Sequence, residues 1–144
     1  MKTLAIFYPV LVLAGWTFIV LTVIPLVRVR SGFRREISAD DFKFGESPAV
    51  PKYVTIPNRN YMNLLELPVL FYVVCLLLYV TAGASHLAVA VAWGYVALRI
   101  VHSAIHLSYN QVLHRLAVFA LSNVLLGALW VIAALHVAGG TGAA

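Results

Sequence analysis

Arg59, Asn63 and Glu66 stand at i, i+4 and i+7 in the stretch Asn58-Arg-Asn-Tyr-Met-Asn-Leu-Leu-Glu-Leu-Pro68, and the chain then runs on apolar to Val80. That spacing puts all three on one face of a helix, with Glu66 about 10 Å along the axis from Arg59. An acid so far into an apolar run costs about 2.5 kcal/mol or more at mid-bilayer, so Glu66 is expected to face protein or water and to have a partner. The next apolar run supplies a candidate in Arg99, His102 and His106, spaced i, i+3 and i+7. Arg99 precedes Leu107 by two helical turns, roughly 12 Å of rise, a depth similar to that of Glu66. Opposite charges at one depth on adjacent antiparallel helices predict a buried Glu66 to Arg99 ion pair. The charges alone leave open whether such a pair only clamps the register of a bundle or belongs to a reactive site.

A fourth run opens with His114-Arg115, followed by Phe119, Ser122 and Asn123 on roughly the same helical face. Arg115 sits where it could simply snorkel to headgroups. Yet Arg28 ends the first apolar run, Arg59 begins the second, His106 ends the third and Arg115 begins the fourth, so every run brings a polar group to one level. A polar cavity facing the cytoplasm accounts for all four. Its arginines, histidines, asparagine and single carboxylate make it net positive, and guanidinium forks suit bidentate contact with carboxylates, so the expected ligand is anionic. His102 and His106 have the i, i+4 spacing of metal ligands, but no Cys, Asp or Glu lies near in sequence to complete a set, and no metal is expected. A Gly-rich phosphate loop, a Ser-His-Asp order and an H-E-x-x-H motif are all missing from the sequence.

The elements that must position these residues are apolar helices. Of the 144 residues 62% are hydrophobic and 10% charged, with a mean hydropathy of +0.94, too little polar residue to cover a water-soluble globule. The fold class is therefore an all-α, integral membrane four-helix bundle, with spans at roughly 4–27, 61–84, 87–107 and 112–138 in a single transmembrane domain covering 1–144. The first span could pass for a signal peptide, but its length, its one preceding lysine and the lack of a small-x-small cleavage site favour a retained helix. Pro9, Pro25 and Pro68 fall in or near these runs, where neighbouring helices can compensate for the backbone bonds they remove. Cys75 lies mid-run and reads as packing.

Residues 28–57 form a polar loop with six basic and four acidic residues, whereas the other connections are short, which makes sequential helices antiparallel neighbours. Gly83 to His86 and the tail after His136 carry no Lys or Arg. The positive-inside rule then places the 28–57 loop in the cytoplasm and both termini on the other side. Arg30, Arg34 and Arg35 read as orientation signals and headgroup contacts, and a net charge of +5 calls for no nucleic acid partner.

At these residues the sequence resembles the MAPEG family, the membrane-associated proteins in eicosanoid and glutathione metabolism, over almost the whole chain. Arg59-Asn-Tyr-Met-Asn63-Leu-Leu-Glu66 follows that family's R-A-x-x-N-x-x-E with Asn60 for the alanine. Arg99-Ile-Val-His102-Ser-Ala-Ile-His106 and Val27-Arg28-Val-Arg30 are similar to R-I-V-H-T-x-x-Y and V-R-L-R of the branch holding microsomal prostaglandin E synthase, which with microsomal glutathione transferase is closest in motif. The resemblance implies a homotrimer with glutathione as co-substrate, bound near the cytoplasmic side between subunits. Arg28, Arg59, Asn63, Glu66 and His102 match positions that contact glutathione or order its pocket, His106 stands in the same set where the family has tyrosine, and Arg115 matches the arginine that stabilises the glutathione thiolate. Phe119 replaces a tyrosine and Met62 an arginine of the prostaglandin synthase branch, which points away from that specific activity. The implied function is a glutathione transferase or peroxidase acting on lipophilic electrophiles or hydroperoxides. The alternative is a non-catalytic lipid-binding or scaffold member whose polar cluster only holds the bundle together. A small transporter is a third reading, with neither inverted repeats nor broken helices to support it.

Overall fold

A computed structural model describes residues 4–140. The described residues form helices and turns, with one isolated bridge between Lys43 and Gly45. After a 3₁₀ turn at Leu4–Ile6 come α1 (Phe7–Phe33), a second 3₁₀ turn at Ala39–Phe42, α2 (Lys52–Leu65), α3 (Pro68–Val80), α4 (His86–Leu107) and α5 (Val112–Gly140). With α2 and α3 counted as one interrupted span, four helical spans are long and apolar enough to cross a membrane. Helix α4 lies at the centre of the packing, against α1, α2 and α5.

The spans differ from the sequence expectation at their ends. α1 continues to Phe33 instead of stopping near Val27, and the second span begins at Lys52 instead of Tyr61, so the polar connection shrinks from 28–57 to 34–51. Pro57, assigned above to the loop, lies inside α2. These extra turns carry Arg28, Arg30 and Arg59, and helix needs no apolar sequence once it has left the hydrocarbon.

Pro68 matters more than expected. It lacks an N–H and its ring opposes the carbonyl four residues back, which favours a break, and here, unlike at Pro25 and Pro57, which lie inside continuous helices, the span is interrupted. α2 ends at Leu65, Glu66 departs from helical geometry with ψ near −95°, and Pro68 restarts the chain as the first residue of α3. The interruption falls in the middle of the polar face. Glu66 is therefore the residue at which the helix opens.

The core is apolar and built from one stripe of each span. On α1 the buried positions include Leu13, Val20 and Ile24, and on α3 Phe71, Val74, Cys75 and Leu78. Ala88 and Ala92 keep α4 slim, which lets neighbouring backbones approach, as small residues do between membrane helices. Tyr95 stacks on Phe71 with ring centroids 4.7 Å apart. The outward faces carry exposed Leu11, Phe18, Leu76, Leu121, Val124 and Leu135, the surface expected of spans that meet lipid.

Where α3 ends, Ala82 takes a left-handed conformation (φ +59°) with its N–H on the Tyr79 carbonyl, while the Gly83 N–H reaches the Leu78 carbonyl at 2.8 Å. This is the Schellman pattern, in which glycine usually holds the left-handed position. Here glycine stands one residue later, because a Cβ at Gly83 would overlap the His136 imidazole. His136 is pinned in place, its Nε2 donating to the Thr81 carbonyl at 2.9 Å.

Candidate functional site

Three of the five helices, α2, α4 and α5, meet in a groove at the charged end of the bundle. Arg59, Asn63 and Glu66 from α2, His106 from the last turn of α4 and Arg115 from the first turn of α5 line one open groove of about 340 Å³, together with Ile56, Met62 and Asn110. Five residues singled out by spacing alone thus share one surface. His102 lines an adjoining depression of about 220 Å³ with Asn63, Val112, Arg115, Leu116 and Phe119. Arg28 lines neither and is instead paired with Glu46 of the loop at 3.2 Å.

The expected Glu66 to Arg99 ion pair does not form. Arg28 to Glu46 is the one ion pair within 4.0 Å among the described residues. Arg99 is fully buried and Glu66 is exposed. The helix break explains the difference. A helix end leaves its last carbonyls without intrahelical partners. The Glu66 N–H serves the Met62 carbonyl, and the Arg99 guanidinium donates through Nη2 to the Asn63 carbonyl. Arg99 thus caps the terminus of α2 from a neighbouring helix, and its guanidinium carbon lies 5.5 Å from the centre of the Phe119 ring, close enough for a cation–π contact. Its Nε and Nη1 are buried and have no hydrogen-bond partner.

Arg115 is held from two sides. Its Nη1 donates to Asn110 Oδ1 at 2.6 Å, while its backbone carbonyl accepts from His102 Nδ1 at 3.1 Å. Since a carbonyl only accepts, His102 must carry its proton on Nδ1, and Nε2 is left buried without a partner. Asn110 suits its place in the turn between α4 and α5, because its φ of +50° is a conformation asparagine tolerates better than most residues. Arg115 Nε is also buried and unpartnered, and Arg59 is exposed. Beneath the groove, Ser103 Oγ accepts from Trp16 Nε1 at 2.9 Å and from Asn60 Nδ2 at 2.6 Å, tying α1, α2 and α4 together at one buried point.

Sequence reasoning missed Asn110, the Trp16–Asn60–Ser103 node and the Arg28–Glu46 pair. Asn60 carried a signal, an amide inside an apolar helix face next to Arg59. Asn110 and Glu46 carried none, because each sits in a connection whose path is fixed only by what it packs against. Among the described residues no group of three His, Cys, Asp or Glu side chains is placed to hold a metal ion.

Chemically, the groove offers two guanidinium groups, two amides, an imidazole and one carboxylate at the polar end of an otherwise apolar bundle. Such a surface suits a small anion with a counter-charged or polar part. No curated protein and no solved structure matches the chain. The sequence model of the MAPEG family, by contrast, matches residues 6–135, nearly the whole length, and with the four membrane-length spans it establishes that the chain belongs to the MAPEG family.

Proposed function

We propose that this protein is a glutathione-dependent membrane enzyme of transferase or peroxidase type, acting on lipophilic electrophiles or hydroperoxides that reach the groove from the bilayer. The MAPEG family includes glutathione-dependent transferases and peroxidases, and its members commonly use glutathione. The observation that carries the reading is the convergence of Arg59, Asn63, Glu66, His106 and Arg115 on one groove. Glutathione is a tripeptide with two carboxylates, one ammonium and one thiol. Guanidinium groups answer the carboxylates, and the exposed carboxylate of Glu66 answers the ammonium. The groove joins a further cavity of about 540 Å³ through Ile56, Arg59 and Asn110, and together they fall in the ordinary range for ligand sites, roughly 300 to 1,000 Å³.

In this reading Arg115 is the catalytic residue. Fixed by Asn110 and His102, its guanidinium would stabilise the thiolate over the thiol, and the thiolate is the nucleophile. His102 acts by positioning Arg115, while Arg59, Asn63, Glu66 and His106 bind. The groove is open on one side, and its Arg59 and Glu66 are exposed in the single subunit. A homotrimer, in which a neighbour supplies the missing wall, fits that openness. The run of Arg28, Arg30, Arg34, Arg35, Lys43 and Lys52 in and beside the α1–α2 connection supports a cytoplasmic groove and termini on the opposite side.

Calorimetric titration of the purified protein with glutathione, followed by conjugation of a standard aryl halide, tests the reading. Binding with turnover is expected. Binding without turnover favours the lipid-binding or scaffold reading, to which Phe119 lends support by putting a ring without a hydroxyl beside Arg99 and His102. Absence of both sinks the proposal.

A further inference from the structure

The cavity that continues the groove beyond Arg59 ends against the loop between α1 and α2, where Glu46, Ser47, Pro48 and Val50 form its wall. Glu46 is held there by Arg28, whose Nη2 donates to Oε1 at 3.2 Å. Arg28 is prepared for more than this single contact. Its guanidinium carbon lies 4.3 Å from the centre of the Phe42 ring, which fixes the plane of the group, and its Nε is buried with no hydrogen-bond partner. A guanidinium can offer a carboxylate two parallel donors, yet Glu46 engages it through one. Glu46 is also the member of the pair that faces the cavity, with Arg28 one contact behind it.

We propose that Glu46 is an internal competitor for Arg28: it occupies the guanidinium in the ligand-free protein and yields it to a carboxylate of the bound ligand. This rests on the reading of the groove as a glutathione site. The side chains of the pair are 33% and 19% exposed and joined by a single hydrogen bond, so the contact is partly screened by solvent and can be exchanged. Glu46 holds its place because it is tethered to the same chain. A ligand already gripped by Arg59 and Arg115 presents its other carboxylate with a similar advantage, at high effective concentration. Glu46 thereby sets the affinity of the loop end of the groove and selects for ligands that carry a negative charge there.

The test compares glutathione binding by calorimetry in the wild type, in Glu46→Gln and in Asp40→Asn. The last removes the same charge from an exposed position of the same loop. Glu46→Gln is expected to bind about two- to fivefold tighter, the range set by loss of a screened ion pair, with Asp40→Asn unchanged. Equal or weaker binding by Glu46→Gln overturns the competition and leaves the glutathione reading standing. An equal gain in Asp40→Asn also overturns it, because the effect is then one of net loop charge. No binding by the wild type or by Glu46→Gln removes the glutathione reading and this inference with it. Melting temperatures of the variants confirm that each is folded.

Discussion

The two ends of the bundle use burial in opposite ways. Away from the charged end most buried groups are matched: Phe71 stacks on Tyr95, Phe7 packs on Tyr79 with centroids 4.8 Å apart, and the close approach of Gly83 to His136 is backed by a hydrogen bond, while Tyr95 Oη and Trp130 Nε1 stay unpartnered. At the charged end, Arg28 Nε, Arg99 Nε and Nη1, His102 Nε2, His106 Nδ1 and Arg115 Nε are all buried without partners. Buried polar groups in a finished core are nearly always satisfied. One region is therefore nearly complete within the subunit, and the charged end gathers buried nitrogens, most of them donors, that the single chain leaves without partners.

Substitutions should separate the two ends. The largest effect is expected from Phe71→Ala, which empties a fully buried aromatic site and should cost about 3 kcal/mol of stability, read as a lowered melting temperature with glutathione affinity retained in the folded fraction. If affinity fell in parallel, the two ends would not be independent. Arg115→Leu should do the reverse. Its melting temperature should hardly move, while the pKa of bound glutathione should rise by about 1 to 3 units, followed as thiolate absorbance against pH. Reactivity then disappears from the lower-pH side of the profile, because the thiol that Arg115 kept ionised becomes protonated there. An unchanged titration would remove Arg115 from the chemistry.

Ser103→Ala tests the node that joins the ends. It strands Trp16 Nε1 and Asn60 Nδ2, and should cost about 1 to 3 kcal/mol in a melting experiment. Ala82→Gly is expected to raise stability by about 0.5 to 1 kcal/mol by relieving a left-handed alanine, whereas Gly83→Ala must displace the His136 ring and should lower it. Glu66→Gln should have the smallest effect on stability, within about 0.5 kcal/mol, because the carboxylate is exposed and unpaired with Arg99. A loss as large as that of a buried ion pair, about 3 to 5 kcal/mol, would restore the pairing the sequence suggested.

Much of the site was legible because helix spacing is local. The periodicity that put Arg59, Asn63 and Glu66 on one face needs only a regular backbone, and the groove contains all three. The expectation of one polar level holds for Arg59, His106 and Arg115, which share the groove, while Arg28 does not line it. The Glu66–Arg99 error originates in the interruption at Pro68. Reading 61–84 as one straight helix turned Glu66 toward Arg99, whereas the break exposes Glu66 and frees the Asn63 carbonyl that Arg99 takes. Arg28 was assigned to the ligand by the family resemblance, and its partner Glu46 in the ligand-free protein comes from the loop, which has no period to read.

By itself, then, the sequence determined the four apolar spans, their antiparallel succession and the charged level at one end. Hydropathy and helical pitch are properties of neighbouring residues, and a bilayer leaves such segments few alternatives. The tertiary structure alone decided which donor met which acceptor. Arg99 on the Asn63 carbonyl, Asn110 on Arg115, Trp16 and Asn60 on Ser103 and Glu46 on Arg28 each join groups from different elements. Those pairings depend on where one helix breaks and how its neighbours turn about their axes, quantities set by packing of the whole bundle.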